Sequence, residues 1–283
     1  MAKVKIIWDP KGLNIDSLGK KRFIRATDGD TPYISLSIRM LSIDTPEVHY
    51  PGNKKPSRHD RSLMQLAEWI EEGKAPINPS LGEYLLPKLS SGRAGTLQEE
   101  QGKKAGRVFR ELLEEKLTLP SGRNRSLFVR TADEPFDQYG RLLAYIAPSY
   151  SREELELLSR EERATFNLLM VRIGWAASFP IYPNLPKFDD LVLLQQVAKD
   201  AYESKRGAWS DPLTLTGYEF RMCVKLYDIT KKLIQGKSSR VDKYSWIKRF
   251  CIDMTTRELF YPQDYHKVKP YNRIFVWPED VAD

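Results

Sequence analysis

The dipeptide Asp28-Gly29, set between two runs that read as strands, constrains this chain more than any other local feature. Glycine takes a positive φ without steric cost, so Asp-Gly between extended segments predicts a hairpin. Before it, Arg22-Phe-Ile-Arg-Ala26 predicts one strand. After it, Ile34, Leu36, Ile38 and Met40 recur with a period of two, the inward row of a half-buried strand. Tyr33, Ser35, Ser37 and Arg39 fall on the other face, so Arg39 is expected to point away from the core.

The strand pattern stops at Tyr50. Pro51, Pro56, Pro76, Pro79 and Pro87 break residues 50–97, and one amphipathic helix, Ser62 to Glu72, gathers Leu63, Leu66, Ala67 and Ile70. This segment reads as an insertion. A helix is expected from Thr96 to Lys116, then strands over 126–131 and 141–147 flanking the turn at Tyr139-Gly140. Ser151 with Glu154 forms a capping box that opens a further helix. Two more follow at 164–173 and 188–205, the last closed by Gly207 as a left-handed cap. Ser210-Asp211-Pro212 marks a boundary, and strands predicted over 218–227, 246–254 and 273–277 make the tail a small β-rich extension. Val4 to Trp8 predicts a short strand at the start. The fold class expected is α+β, a β-barrel with helices. Residues 1–211 form one domain carrying the insertion at 50–97, and residues 212–283 form the β-rich C-terminal extension.

Composition excludes several classes. The 283 residues include 41% hydrophobic and 29% charged, typical of a globular chain that can bury a core. No apolar run approaches the ~20 residues of a membrane span, and the N-terminus lacks the apolar stretch of a secretory signal, so a cytoplasmic or already processed chain is expected. Cys223 and Cys251 allow at most one bridge, and His49, His59 and His266 are scattered. A zinc centre is therefore not expected. The net charge of +7, from 45 basic and 38 acidic residues, suits a polyanion such as nucleic acid, or else a solvated positive face.

The stretches Asp28-Gly-Asp-Thr31 and Ile38-Arg-Met-Leu-Ser-Ile-Asp-Thr-Pro-Glu47 carry the chemistry. They bring Asp30, Asp44 and Glu47 and the guanidinium of Arg39 to strand ends. Carboxylate oxygens suit a hard cation, Ca²⁺ or Mg²⁺. With three of them the ion would keep several waters, leaving room for a substrate phosphate and an attacking water. Taken singly, each piece is equally a hairpin turn or an Asx turn at a strand exit.

Together with Tyr139-Gly140-Arg141-Leu-Leu-Ala144-Tyr145, in this order, these blocks resemble the staphylococcal nuclease family. Asn167 to Gly174 and Gly207-Ala-Trp-Ser210 extend the resemblance, which covers residues 20–49 and 98–211. It implies an OB-fold, a five-stranded barrel with helices, that cuts DNA and RNA with Ca²⁺ and leaves 3′-phosphate ends. Carried over, Asp30 and Asp44 ligate the ion by side chain and Thr45 by its carbonyl. Glu47 orients or deprotonates the water, while Arg39 and Arg141 grip the phosphate. Physical chemistry supports these roles: a phosphodiester repels nucleophiles, and planar, permanently charged donors match its oxygens. So few carboxylates predict weak Ca²⁺ binding, on the order of 10⁻⁴ to 10⁻³ M.

The chain departs from the family pattern in three places. Gln138 stands where the family has lysine before the tyrosine of the third block, leaving Tyr139 as the substrate contact there. The insertion leaves from the active-site end, and its Lys54, Lys55, Arg58 and Arg61 either track a nucleic-acid backbone or form a solvated charge run. Phe179 and Tyr182 stand near the family's base-pocket tyrosines and would either stack on bases or belong to the core. Tyr261, Tyr265, Tyr271, Phe275 and Trp277, interleaved with Lys267, Lys269 and Arg273, read as a binding surface or as packing for the tail. The expected partner is single-stranded DNA or RNA, or duplex DNA, and no membrane. The competing class is a nucleic-acid-binding platform or interaction protein without turnover, which would be expected to lose Arg39, Glu47 or Arg141; all three are present.

Overall fold

The computed structural model describes residues 20–237 and 242–281. The strand expected over Val4–Trp8 lies outside them. The described chain is a mixed fold of helices and small sheets, consistent with an OB-like arrangement. It divides into two compact units.

The smaller unit comprises the described residues up to Arg39 together with Thr131–Ala144. Its hairpin forms as the Asp-Gly signal requires, β1 (Phe23–Ala26) pairing antiparallel with β2 (Pro32–Ile34) in the register Phe23↔Ile34 and Ala26↔Pro32. The strand expected to continue unbroken to Met40 is interrupted at Ser35–Ser37 and resumes as β3 (Ile38–Met40). Ile34 is exposed, so the expected inward row holds only from Leu36 onward. Asp137 organises the turn around Gly140. Its Oδ1 accepts the amides of Tyr139 and Arg141 at 2.9 and 3.0 Å, and Gly140 supplies a φ of 67°. That turn joins β5 (Leu127–Phe136) to β6 (Leu142–Pro148), and the sheet order is β3-β6-β5.

The larger unit holds Met40–Arg130 and Tyr145 onward. Here β4 (Ile43–Asp44) pairs antiparallel with β7 (Ala177–Ser178). Asn167 donates to the Leu41 carbonyl at 2.9 Å and accepts the Ile146 amide at 3.1 Å, a buried amide pinning two strand ends. The insertion is more helical than its prolines suggest: α1 (Asp60–Glu71) is followed by α2 (Pro79–Leu89), which opens on Pro79 and accommodates Pro87 in its last turn. The long α3 (Ala94–Leu117) follows. Asp60 caps it from the neighbouring helix, accepting the amides of Gly95 and Thr96 at 2.6 and 2.9 Å. The helices α4 (Arg152–Leu157), with its Ser151/Glu154 box, α5 (Phe166–Arg172) and α6 (Phe188–Glu203) lie where expected. Lys205, at φ 52°, turns the chain left-handed directly after α6, and Gly207, at φ 56°, is left-handed as expected two residues on.

The C-terminal extension differs most from expectation. Residues 218–227 are not a strand but lie in the N-terminal half of α7 (Gly217–Ile234), an 18-residue helix. Three short strands follow, β8 (Phe250–Asp253), β9 (Leu259–Phe260) and β10 (Arg273–Val276), in the order β10-β8-β9. One hydrophobic core joins this extension to the insertion: Leu63 and Leu66 of α1, Leu81, Leu85 and Leu89 of α2, and Phe220 and Leu226 of α7 are all fully buried in it. Each such side chain contributes about 1.5–3 kcal/mol. A second core gathers Ile43, Ala105, Met170, Val171, Leu194 and Val197 around β4, α3, α5 and α6. Both cysteines are free and buried. Among the described residues the strands fall into four small sheets, and no helix is long and apolar enough to cross a membrane.

Candidate active site

The loop after β4 carries Asp44, Thr45, Pro46 and Glu47, and two helices clamp it. On one side Gln98 of α3, its amide oriented to satisfy both neighbours, accepts the Glu47 amide at 2.7 Å and donates to the Leu215 carbonyl at 3.0 Å. One turn further, Gly102 presses against the carbonyls of Pro46 and Glu47; a Cβ there would lie 2.9 and 2.7 Å from those oxygens. On the other side Gly217, the first residue of α7, is packed so closely that a Cβ would collide with the Thr45 carbonyl and stand 2.7 Å from Asp44 Oδ2.

Four residues after Gly217, on the same face of α7, Arg221 reaches both carboxylates. Its Nη2 donates to Asp44 Oδ1 and Oδ2 at 3.1 and 3.2 Å, and its Nη1 donates to Glu47 Oε1. The Asp44 side chain is 1% exposed, while Arg221 and Glu47 are about one-fifth exposed, so the pair opens to solvent on the Glu47 side. Burial pulls the Arg221 pKa down, but the charges of Asp44 and Glu47 more than reverse this, and the guanidinium is held further into its charged form. Lys225, one turn on, has its pKa lowered by burial first and then by repulsion from Arg221, Arg249 and Lys248. Arg249 is stacked over Trp277 at 4.1 Å. The extension thus brings Lys225 within electrostatic reach of Arg221, Arg249 and Lys248.

Glu219 fixes α7 in place. With Thr216 it completes a capping box: Thr216 Oγ1 accepts the Glu219 amide at 3.2 Å, and Glu219 Oε2 accepts the Thr216 amide at 3.0 Å. The same buried carboxylate accepts from Tyr84 at 2.8 Å and Tyr265 at 3.3 Å, and pairs with Lys88 at 3.4 Å and Arg273 at 3.6 Å. Burial would raise its pKa; Lys88 and Arg273 overcome that and hold it down to about 2.

In the smaller unit, Asp30 lies in the β1–β2 loop and accepts from Thr31 Oγ1 at 3.1 Å. Arg39 is half-buried in β3. Arg141 immediately precedes β6, and its Nε donates to Asp137 Oδ2 at 2.7 Å. Asp137 in turn has its pKa lowered: desolvation acts upward but is outweighed by the Arg141 amide, the Arg141 side chain and the Tyr139 amide. Asp137 is a positioning residue for Arg141 that the sequence reading passed over, although its spacing of four residues was visible. Tyr139 is 70% exposed, and Arg141 stands 5.3 Å from its ring.

Of the other expected contacts, Lys54 and Lys55 are exposed on the loop after the β4 segment, and Tyr182 is 45% exposed. Phe179 requires a correction. It is buried at 6%, with ring centroids of Phe275 and Tyr218 at 4.7 and 5.2 Å, so it belongs to the core and offers no face to a base. His59 bonds the Tyr50 carbonyl at 3.0 Å and packs edge-on to Phe220, a structural role.

The match to the family model of staphylococcal nuclease homologues spans residues 37–211, well over half of the chain, and the protein belongs to that family. No curated protein matches the chain closely enough to be set beside it. Members of the family are generally nucleic-acid hydrolases and typically depend on Ca²⁺. The donors of this chain do not fit such an ion as they stand. Both Asp44 oxygens and Glu47 Oε1 hold the Arg221 guanidinium, and α7 is packed against the Thr45 carbonyl, whereas Ca²⁺ needs those oxygens at 2.3–2.6 Å. Among the described residues no group of three or more His, Cys, Asp or Glu side chains is arranged to hold a metal.

Proposed function

We propose that this protein acts on nucleic acids as a phosphodiesterase of the staphylococcal nuclease type, built on an OB-type framework. The observation that carries this reading is the presence of Arg39, Asp44-Thr45-Pro46-Glu47 and Tyr139-Gly140-Arg141 within the matched span. In this reading Arg39 and Arg141 hold the scissile phosphate and stabilise the charge of the five-coordinate transition state. Glu47, its rotamer fixed by Arg221, orients the attacking water. The water oxygen bonds to phosphorus, the bond to the 5′ oxygen breaks, and that oxygen leaves as a hydroxyl, giving a 3′-phosphate end. Asp30, Asp44 and Thr45 stand at the positions of the family's ligand set, in an arrangement that does not fit the ion while Arg221 holds Asp44. Tyr139, Tyr182, Lys54 and Lys55 are the proposed strand contacts, and the cluster of Lys225, Lys248 and Arg249 suits a polyanion. Residues 1–211 form the nuclease-like domain and 212–283 its extension.

A second reading, a platform that binds nucleic acid without turnover, is favoured by one observation: Arg221 engages both carboxylates.

End-labelled single-stranded DNA, incubated with the purified chain in Ca²⁺, Mg²⁺ or EGTA, separates the two. Hydrolysis predicts 3′-phosphate products, lost in Glu47→Gln. It also predicts a fall of about 10²-fold or more in Arg39→Lys and Arg141→Lys, where the charge survives but the fork does not. Retarded but uncut DNA under every condition overturns the hydrolase and leaves the platform.

A further inference from the structure

The residue that most changes the site lies outside the family match. Arg221 comes from the C-terminal extension, is separated by 177 positions from Asp44, and contacts both Asp44 oxygens as well as Glu47. Nothing about α7 suggests a loose cover: ten of its residues are buried, its first turn is closed by the Thr216/Glu219 box, and Gly217 lets its backbone sit directly on Thr45. The guanidinium is as much a part of this site as the carboxylates.

We propose that Arg221 is the resident counter-cation of the Asp44–Glu47 pair, so that a divalent ion reaches these carboxylates only by displacing it. The inference rests on reading Asp44 and Glu47 as the reactive pair. Charge and geometry carry it. The pair bears two negative charges, of which Asp44 is sealed from water, and a buried carboxylate requires a charge partner. Arg221 satisfies that need in the folded chain. An ion approaching the same oxygens would meet the positive charge of a guanidinium already bonded to them, only about one-fifth exposed to screening solvent. The guanidinium occupies the side of the carboxylate on which both Asp44 oxygens accept, so an ion entering on that side has to move it. The family's ion and this arginine therefore compete for the same oxygens.

The test is Ca²⁺ titration of the full chain by calorimetry, without nucleic acid, in wild type, Asp44→Asn, Arg221→Gln and Arg221→Lys. Wild type is expected to give no Ca²⁺ heat that Asp44→Asn abolishes. Arg221→Gln is expected to bind at least ~10-fold more tightly, near the ~10⁻³ M of a weak oxygen site, and to gain thermal stability from Ca²⁺ where wild type gains none. Should Arg221→Gln fail to fold, Arg221→Lys retains a charge too compact to span both carboxylates, and a smaller gain is expected there. Asp44-dependent Ca²⁺ uptake by wild type overturns the inference, as does an affinity equal in wild type and the soluble Arg221 variant. The readout is independent of catalysis. Failure to cut DNA with this Ca²⁺ pattern intact defeats the hydrolase and leaves the counter-cation standing, while cutting by a wild type that takes up Ca²⁺ at Asp44 does the reverse.

Discussion

Glu219→Gln is expected to destabilise the chain by about 3 kcal/mol at neutral pH, read as a fall in the urea midpoint with an unchanged slope. Glutamine suits the capping box as well as glutamate does, so the helix start survives and only the charge is lost. What it leaves behind is costly: Arg273 at 4% exposure and Lys88 at 12% then face a neutral amide in the interior. The wild-type carboxylate also predicts a pH dependence. Its folded pKa of about 2 lies below the ordinary value of 4.5, so its contribution is complete above pH 4.5 and is lost as pH falls from there toward 2. Glu219→Gln should lack that part of the acid slope. Stability that declines equally in both proteins over this window would place the acid-sensitive group elsewhere.

Gly217→Val should cost about 2–3 kcal/mol, because the new side chain meets backbone and a carboxylate rather than a movable neighbour. Its Cβ collides with the Thr45 carbonyl and crowds Asp44 Oδ2, and the first turn of α7 must retreat from the loop it covers. Gly106→Ala on α3 is the control. A Cβ there would meet only the Arg110 Nη1, at 3.8 Å, so the substitution should gain up to about 0.5–1 kcal/mol from helix propensity. Chemical denaturation of the two variants beside wild type measures both. Equal effects would mean that α7 does not press on the loop as described.

The sequence made much of this molecule legible, and its failures have physical causes. The hairpin at Asp28-Gly29, the helix at α3 and the box at Ser151 follow from local chemistry that tertiary structure did not override. The error over residues 218–227 arose because Tyr218, Phe220, Val224 and Tyr227 suit a strand by type. The signal that would have corrected it was Thr216-x-x-Glu219, the same box recognised at Ser151. Recognising it would have put Gly217 and Arg221 on one helical face. Their meeting with Asp44 would still have been hidden, since no local rule couples positions so far apart in the chain. Phe179 was ambiguous for the opposite reason: an aromatic near a site and an aromatic beneath it look alike until burial is known.

The core shared by α1, α2 and α7 also sets an order of events during synthesis. Translation delivers α1 and α2 first, with Leu63, Leu66, Leu81, Leu85 and Leu89 seeking cover before α7 has been made. Through that interval the Asp44–Glu47 loop has its α3 clamp but not its α7 clamp. The loop acquires its final shape only once α7 has left the ribosome, so a polypeptide cut short before α7 carries the acidic pair without the arginine that pairs with it.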